Sequence, residues 1–173
     1  NKMRAEIRAN LEREVVNRIK GRVKDQIMQV LLDCTPVTPP QTLVGMEIAR
    51  MHDSMLADLR ERGVKLEGQQ MPPSDLFREQ ATRRVSLGLV VAEIIKQQSL
   101  AARPEQVRAR LQEHAQTYEQ PDELVKWYYS QPERIREVEA VVAEDNVVDW
   151  ILARAQVEDK AIAFEEVMGT KQA

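Results

Sequence analysis

Apolar residues fall every four positions from Met3 through Ile7, Leu11, Val15, Ile19 and Val23 to Ile27, with no proline and only Gly21 in the run. This spacing predicts one long helix over residues 1–35, closing near Cys34 before Pro36. Four residues advance about 400° on a helix of 3.6 residues per turn, so the stripe shifts by roughly 40° at each step and winds around the helix. One flat partner cannot cover such a stripe. The pattern leaves two arrangements: different neighbours at the two ends, or an arm extended into solvent.

Thr38-Pro39-Pro40 then gives a stop and a restart, because proline fixes φ, suits a first helical turn and pushes its predecessor extended. A second helix runs to about Arg62, forming an arm over 36–72 that closes with an irregular connection from Gly63 to Met71 ahead of Pro72-Pro73. The third helix opens at Pro73 or Ser74. Its apolar positions begin as Leu76, Phe77, Ala81 and Val85, then fill nearly every place from Leu87 to Ala92, followed by Ile94 and Ile95. That density predicts a central helix over 73–100 buried on most sides, with Gly88 letting a neighbouring backbone come close.

Beyond a break at Ala101 to Arg103, three helices open on Pro104-Glu105, Pro121-Asp122-Glu123 and Pro132-Glu133, each with proline in the first turn and acid at the positive helix N-terminus. They should end near Tyr118, after a short run, and near Ala155, making a second arm over 104–155 and leaving a return segment at 156–173. Only a short piece near Val157 reads as extended. The fold class is all-α: an elongated multihelical domain with two protruding helical arms.

Composition supports this reading. At 173 residues and 43% hydrophobic the chain can bury a core, while 31% charged residues and few aromatics suit long helices better than a compact enzyme. The net charge of -3 conceals an asymmetry. Residues 1–30 hold eight Lys/Arg against four Asp/Glu, whereas residues 131–168 hold four against ten, so the ends can attract each other or different partners. The lone Cys34 cannot form an internal disulfide, suits a reducing cytoplasm or a compartment where the fold does not depend on crosslinks, and is expected to be a small buried hydrophobe. No run approaches the roughly 18 apolar residues of a membrane span and no leader is visible, so no membrane partner is expected. Asn1 stands only two residues before the helical rhythm begins, which reads as a fragment whose preceding domains lie elsewhere.

Candidate chemistry is sparse. His52 and His114 belong to no Cys/His pattern or HExxH helix, and no metal or other cofactor is expected. There is no GxSxG elbow, no Gly-rich phosphate loop, and no nucleophile signature at Cys34. Glu144-Asp145 is an acidic pair whose members point about 100° apart on a helix and should not converge on one atom. Asp145 and Asn146 interrupt the stripe Val138, Val141/Val142, Val148 and Leu152, so they need partners between packed helices or water in a crevice. The basic first helix lacks the aromatics or motif that direct nucleic-acid binding would want; a solvated face explains it.

Binding surface is the richer theme. Met46, Met51 and Met55 lie on the second helix with Leu43, Ile48, Leu56 and Leu59, more adaptable apolar side chain than one narrow stripe hides. Phe77, Tyr118, Trp127, Tyr128 and Tyr129 cluster beside the helix breaks, either caging the helix tips or offering rigid contacts to extended peptide.

Arg22-Val23-Lys24-Asp25-Gln26, Val37-Thr38-Pro39-Pro40 and above all Leu76-Phe77-Arg78-Glu79-Gln80-Ala81-Thr82-Arg83-Arg84-Val85-Ser86-Leu87-Gly88-Leu89 resemble the C-terminal domain of trigger factor. Tyr118-Glu119-Gln120-Pro121, Trp127-Tyr128-Tyr129-Ser130 and the ending from Ala155-Gln156-Val157 to Phe164-Glu165-Glu166-Val167-Met168 continue the resemblance in the same order, over essentially the whole chain. It implies a SurA-like peptide-binding architecture and an ATP-independent chaperone domain acting on unfolded or nascent polypeptides. It also implies that the ribosome-docking domain and the FKBP-like prolyl isomerase domain are not encoded here, so this chain is not itself an enzyme and reaches ribosomes only through the missing part. An upstream linker, which the family packs against this domain, would leave part of the first helix exposed when absent. The family's apolar client contacts correspond to Leu59, Phe77, Tyr118, Leu124 and Trp127, and His114 stands where relatives commonly carry methionine. With Met46, Met51 and Met55 these form the expected client-binding set. Two alternatives stand beside it: a structural module that self-associates as a homodimer, and RNA binding through the basic helix.

Overall fold

A computed structural model of the chain describes residues 2–63, 73–116, 118 and 120–169. Seven α-helices and one 3₁₀ turn make up its regular structure, with no strand among the described residues. They are α1 (Lys2–Cys34), α2 (Gln41–Glu61), the 3₁₀ turn Ser74–Phe77, α3 (Arg78–Gln98), α4 (Pro104–Ala115), α5 (Pro121–Tyr129), α6 (Pro132–Leu152) and α7 (Phe164–Met168). The all-α reading therefore holds. Each of α4, α5 and α6 begins on its proline, as the sequence indicates.

The chain divides into two compact units, residues 1–30 with 101–173, and residues 31–100. In the second unit, α2 turns Val44, Ile48, Met51, Met55 and Leu59 to one side, a spacing of three and four residues that makes a single stripe. Val44 and Ile48 close on Ala81 of α3, and Met51, Phe77 and Val85 pack around them. Glu47 stands beside this core and accepts hydrogen bonds from Arg50 at 2.8 Å and from Arg84 of α3 at 3.3 Å. The Arg50 hydrogen bond is the main cause holding the Glu47 carboxyl below its usual pKa, with Arg84 adding to it.

In the first unit, Val107 and Leu111 of α4 close on Val142 of α6, and Ala102, Val125, Tyr128, Ile135 and Val138 complete the cluster. Gln106 ties this packing to the start of α4. Its Oε1 accepts the Arg103 backbone N–H at 3.0 Å, while its Nε2 donates to Asn146 Oδ1 at 2.8 Å. Asn146 thus meets a side-chain partner across helices, as its position in an apolar stripe demands. Lys24 of α1 reaches Glu144 at 2.9 Å and Asp145 at 3.2 Å on α6. Arg18 and Arg22 donate to the backbone carbonyls of Met168 and Glu166, so basic α1 and the acidic end do meet.

Several expectations need correction. Glu144 and Asp145 converge on one atom after all, because the flexible Lys24 stem brings its ammonium between them. Cys34 is exposed, since it is the last residue of α1 rather than part of a core. Among the described residues the central helix is not covered on most sides: α3 packs on α2 and the 3₁₀ turn, with Val90 and Val91 buried but Leu89 and Ala92 exposed. Among the described residues nothing lies within 4 Å of a Cβ built on Gly88, so none of their backbone approaches closely there. The segment near Val157 carries no regular structure, for no other strand exists among the described residues to pair with it. The irregular connection expected to Met71 lies, beyond Gly63, outside the described residues, as does the return segment after Gly169.

Candidate functional site

The winding stripe of α1 ends in two different environments. Ile27 is buried, with Met28 beside it, whereas Met3, Ile7, Leu11 and Ile19 are exposed, Met3 by 73%, and Val15 and Val23 are half-buried. In sequence the stripe is uniform; its burial is not.

In the unit of residues 31–100, the expected contact residues separate by the face of the helix that holds them. Met51, Met55 and Leu59 continue the inward stripe of α2 and are half-buried, and Phe77 is half-buried against the core with His52 at its ring edge, centroids 6.3 Å apart. Met46 points the other way and is 68% exposed, with exposed Leu43 one turn before it. Leu76, preceding Phe77 in the 3₁₀ turn, is 69% exposed. The sequence counts Leu76 among the apolar positions of a buried central helix and not among the contact residues; in the structure it is open.

In the other unit, Tyr118 and Trp127 are each about half exposed, at 51% and 50%. They sit in a chain of edge contacts: Tyr118 with His114 at 5.3 Å, His114 with Tyr128 at 6.4 Å, and Tyr128 with Trp127 at 5.1 Å between centroids. Tyr128 faces the core, while Leu124 is half-buried and Tyr129 exposed. The arrangement both cages a helix tip and leaves ring surface open. The Arg134 guanidinium lies 3.5 Å from the Trp127 ring centroid and donates to the Trp127 backbone carbonyl at 2.8 Å and to Ser130 Oγ at 3.2 Å. Ser130 Oγ in turn donates to the same carbonyl at 2.7 Å. Arg134 was not legible as a ring partner because the helix break at Ser130–Gln131 separates it from Trp127.

Apart from this surface, Lys24 is held as one arm of an ion-pair cluster with Glu144 and Asp145. Burial works against the charge of Lys24, but its hydrogen bonds with Glu144 and then Asp145 outweigh that and raise its pKa above the usual lysine value. The ammonium stays charged and paired, which is the reverse of what a lysine base or nucleophile requires. No group of His, Cys, Asp and Glu side chains among the described residues could hold a metal ion, and no described helix is long and apolar enough to cross a membrane. What the arrangement offers chemically is apolar and aromatic surface held by polar clamps.

The family described as bacterial trigger factor protein C-terminus matches residues 1–153. The chain is 48% identical over 169 residues to a trigger factor of Laribacter hongkongensis, covering 98% of this chain and 39% of that protein. It is 51% identical over 171 residues to the trigger factor of Dechloromonas aromatica, covering 99% and 39%, and 50% identical over 168 residues to that of Aromatoleum aromaticum, covering 97% and 38%. The chain thus spans about two fifths of the length of these relatives.

Proposed function

Because the chain belongs to the trigger factor family and corresponds to its C-terminal region, which does not include the isomerase part, we propose that it binds unfolded or nascent polypeptide without nucleotide. The observation that carries this reading is the Trp127 ring, fixed by Arg134 and Tyr128 yet half open to solvent. A rigid, partly desolvated aromatic gives large contact area at little cost in side-chain freedom. Tyr118 and Leu124 lie in the same unit, and Met46, Met51, Met55, Leu59 and Phe77 supply further apolar surface in the other. Met46 contributes an open face; the half-buried members contribute edges.

Each patch binds weakly. Several patches engaging one unfolded chain act through effective concentration, and release needs no chemistry. The binding prevents aggregation by occupying apolar segments that would otherwise meet one another. Cytoplasmic residence and a ribosome partner reached through another part of the protein complete the proposal; nucleic acid and membrane are not partners of this surface.

The test is aggregation of a chemically denatured protein diluted into buffer without ATP, followed by light scattering. A several-fold molar excess of the chain should slow it; an unchanged rate would overturn the reading. The exposed Met3, Ile7 and Leu11 favour a second reading, in which α1 pairs with a second copy. Sedimentation separates the two: a tight dimer that binds no unfolded protein would support self-association instead.

A further inference from the structure

Exposure separates the described methionines sharply. Met3 is 73% and Met46 68% exposed, whereas Met51, Met55 and Met168 are half-buried and Met28 is buried. Of the three methionines on α2, Met46 is therefore the one that small solutes reach most freely. Its surroundings on the helix are open as well: Thr42 and Leu43 lie four and three residues before it, Ala49 and Arg50 three and four after it, and all four are exposed. The core contacts of α2 belong to Val44 and Ile48, with Met51 packed against them, and Met46 takes no part in that cluster.

A thioether offers the same kind of apolar contact as a hydrocarbon of its size, but it responds to oxidants. The sulfur gives an electron pair to hydrogen peroxide; an S–O bond forms as the O–O bond breaks, and the hydroxide released takes up a proton and leaves as water. Methionine is oxidised by two electrons and the peroxide reduced by two. The sulfoxide is polar and accepts hydrogen bonds, so it no longer gains from apolar contact. Burial keeps the oxidant from Met28, and Leu43 beside Met46 has no sulfur to lose. Oxidation at Met46 therefore changes the open face of α2 while the packed stripe keeps its contacts.

We propose that Met46 is a reversible oxidation site: oxidants of the peroxide class convert its thioether to the sulfoxide and weaken the hold of α2 on unfolded polypeptide without disturbing the fold. A thiol-dependent sulfoxide reductase reverses it, two thiols becoming a disulfide as the sulfoxide oxygen leaves as water. The inference rests on the chain being a binder of unfolded polypeptide and adds a regulation of that surface. Because Tyr118, Leu124 and Trp127 hold no sulfur, the loss is partial, about threefold in affinity, the size of one exposed contact outside a hot spot. Met3 oxidises alongside Met46 but lies on α1, outside the contact set.

The experiment uses the full chain carrying Cys34→Ser, which removes the exposed thiol as a competing target. Hydrogen peroxide is added in steps and destroyed with catalase; peptide mass spectrometry then gives the oxidation of each methionine, and anisotropy with a labelled leucine-rich peptide lacking Met and Cys gives the affinity. Met46 and Met3 should oxidise ahead of Met51 and Met55, with Met28 last. Affinity should fall about threefold in step with Met46, at an unchanged thermal midpoint, and recover under a sulfoxide reductase. Met3→Leu should show the same fall. Met46→Leu, whatever affinity it starts from, should lose none on the same treatment, and Met46→Gln should bind more weakly without any peroxide. Oxidation of Met51 or Met55 before Met46, complete oxidation of Met46 with affinity unchanged, or an equal fall in Met46→Leu would overturn the proposal while leaving polypeptide binding intact. Failure of the unoxidised chain to bind the peptide would instead sink the function it rests on.

Discussion

At the scale of single residues, Trp127 shows how a polar clamp keeps an apolar group available. Arg134 covers part of the ring and holds the backbone carbonyl of the same residue, so the side chain is both oriented and open. Trp127→Ala should therefore weaken binding of an unfolded protein by about fivefold, roughly 1 kcal/mol, in an anisotropy titration. The thermal midpoint should shift little, because half the ring is already in water. Glu47 plays a different part, joining α2 to α3 beside the Val44, Ile48 and Ala81 core. Its folded pKa is depressed, chiefly by the Arg50 hydrogen bond, so it stabilises the fold above the unfolded value near 4.5. That contribution is lost as pH falls through the folded pKa. Since both arginines are exposed, the loss should stay below about 1 kcal/mol. Urea unfolding between pH 6 and 3 should show it in the unaltered chain and show a shallower fall in Glu47→Gln.

At the scale of helices, stability depends on how each element is started and to what it is tied. Gln106 does both for α4, accepting the Arg103 N–H and donating to Asn146 of α6. Gln106→Ala removes the cap acceptor and one partner of a part-buried amide, and should cost about 1–2 kcal/mol by urea unfolding. Gln112→Ala, on the exposed side of the same helix, should stay within about 0.5 kcal/mol. The helices themselves were legible, since proline at Pro104, Pro121 and Pro132 marks the first turn by a local rule. The winding of the α1 stripe was legible too, but which stretch of it is buried depends on neighbours distant in sequence. The same applies to α3: a dense apolar run specifies no number of neighbours, and among the described residues α3 packs on α2 and the 3₁₀ turn. Among the contact residues, Met46 and Met51 looked equivalent as letters; only the inward stripe through Val44 and Ile48 separates the open one from the packed one. The Arg134 stack and the joint hold of Glu144 and Asp145 on Lys24 arise across helix breaks or between remote helices, where spacing rules carry no information.

At the scale of the whole molecule, large apolar side chains remain exposed in both compact units while charged side chains are mostly paired or solvated. That combination suits many weak contacts distributed along one unfolded chain rather than a single deep site. The measurement that tests this most directly is a chemical-shift titration of the isotopically labelled chain with a permanently unfolded polypeptide. The account predicts that the largest changes fall at Met46, Tyr118 and Trp127, with smaller ones at the edges of Met51, Met55, Leu59, Phe77 and Leu124. Val44 and Val147, which are fully buried, should report only minor shifts. A titration that reaches saturation with its changes confined to the charged faces, leaving Met46, Tyr118 and Trp127 unmoved, would contradict it.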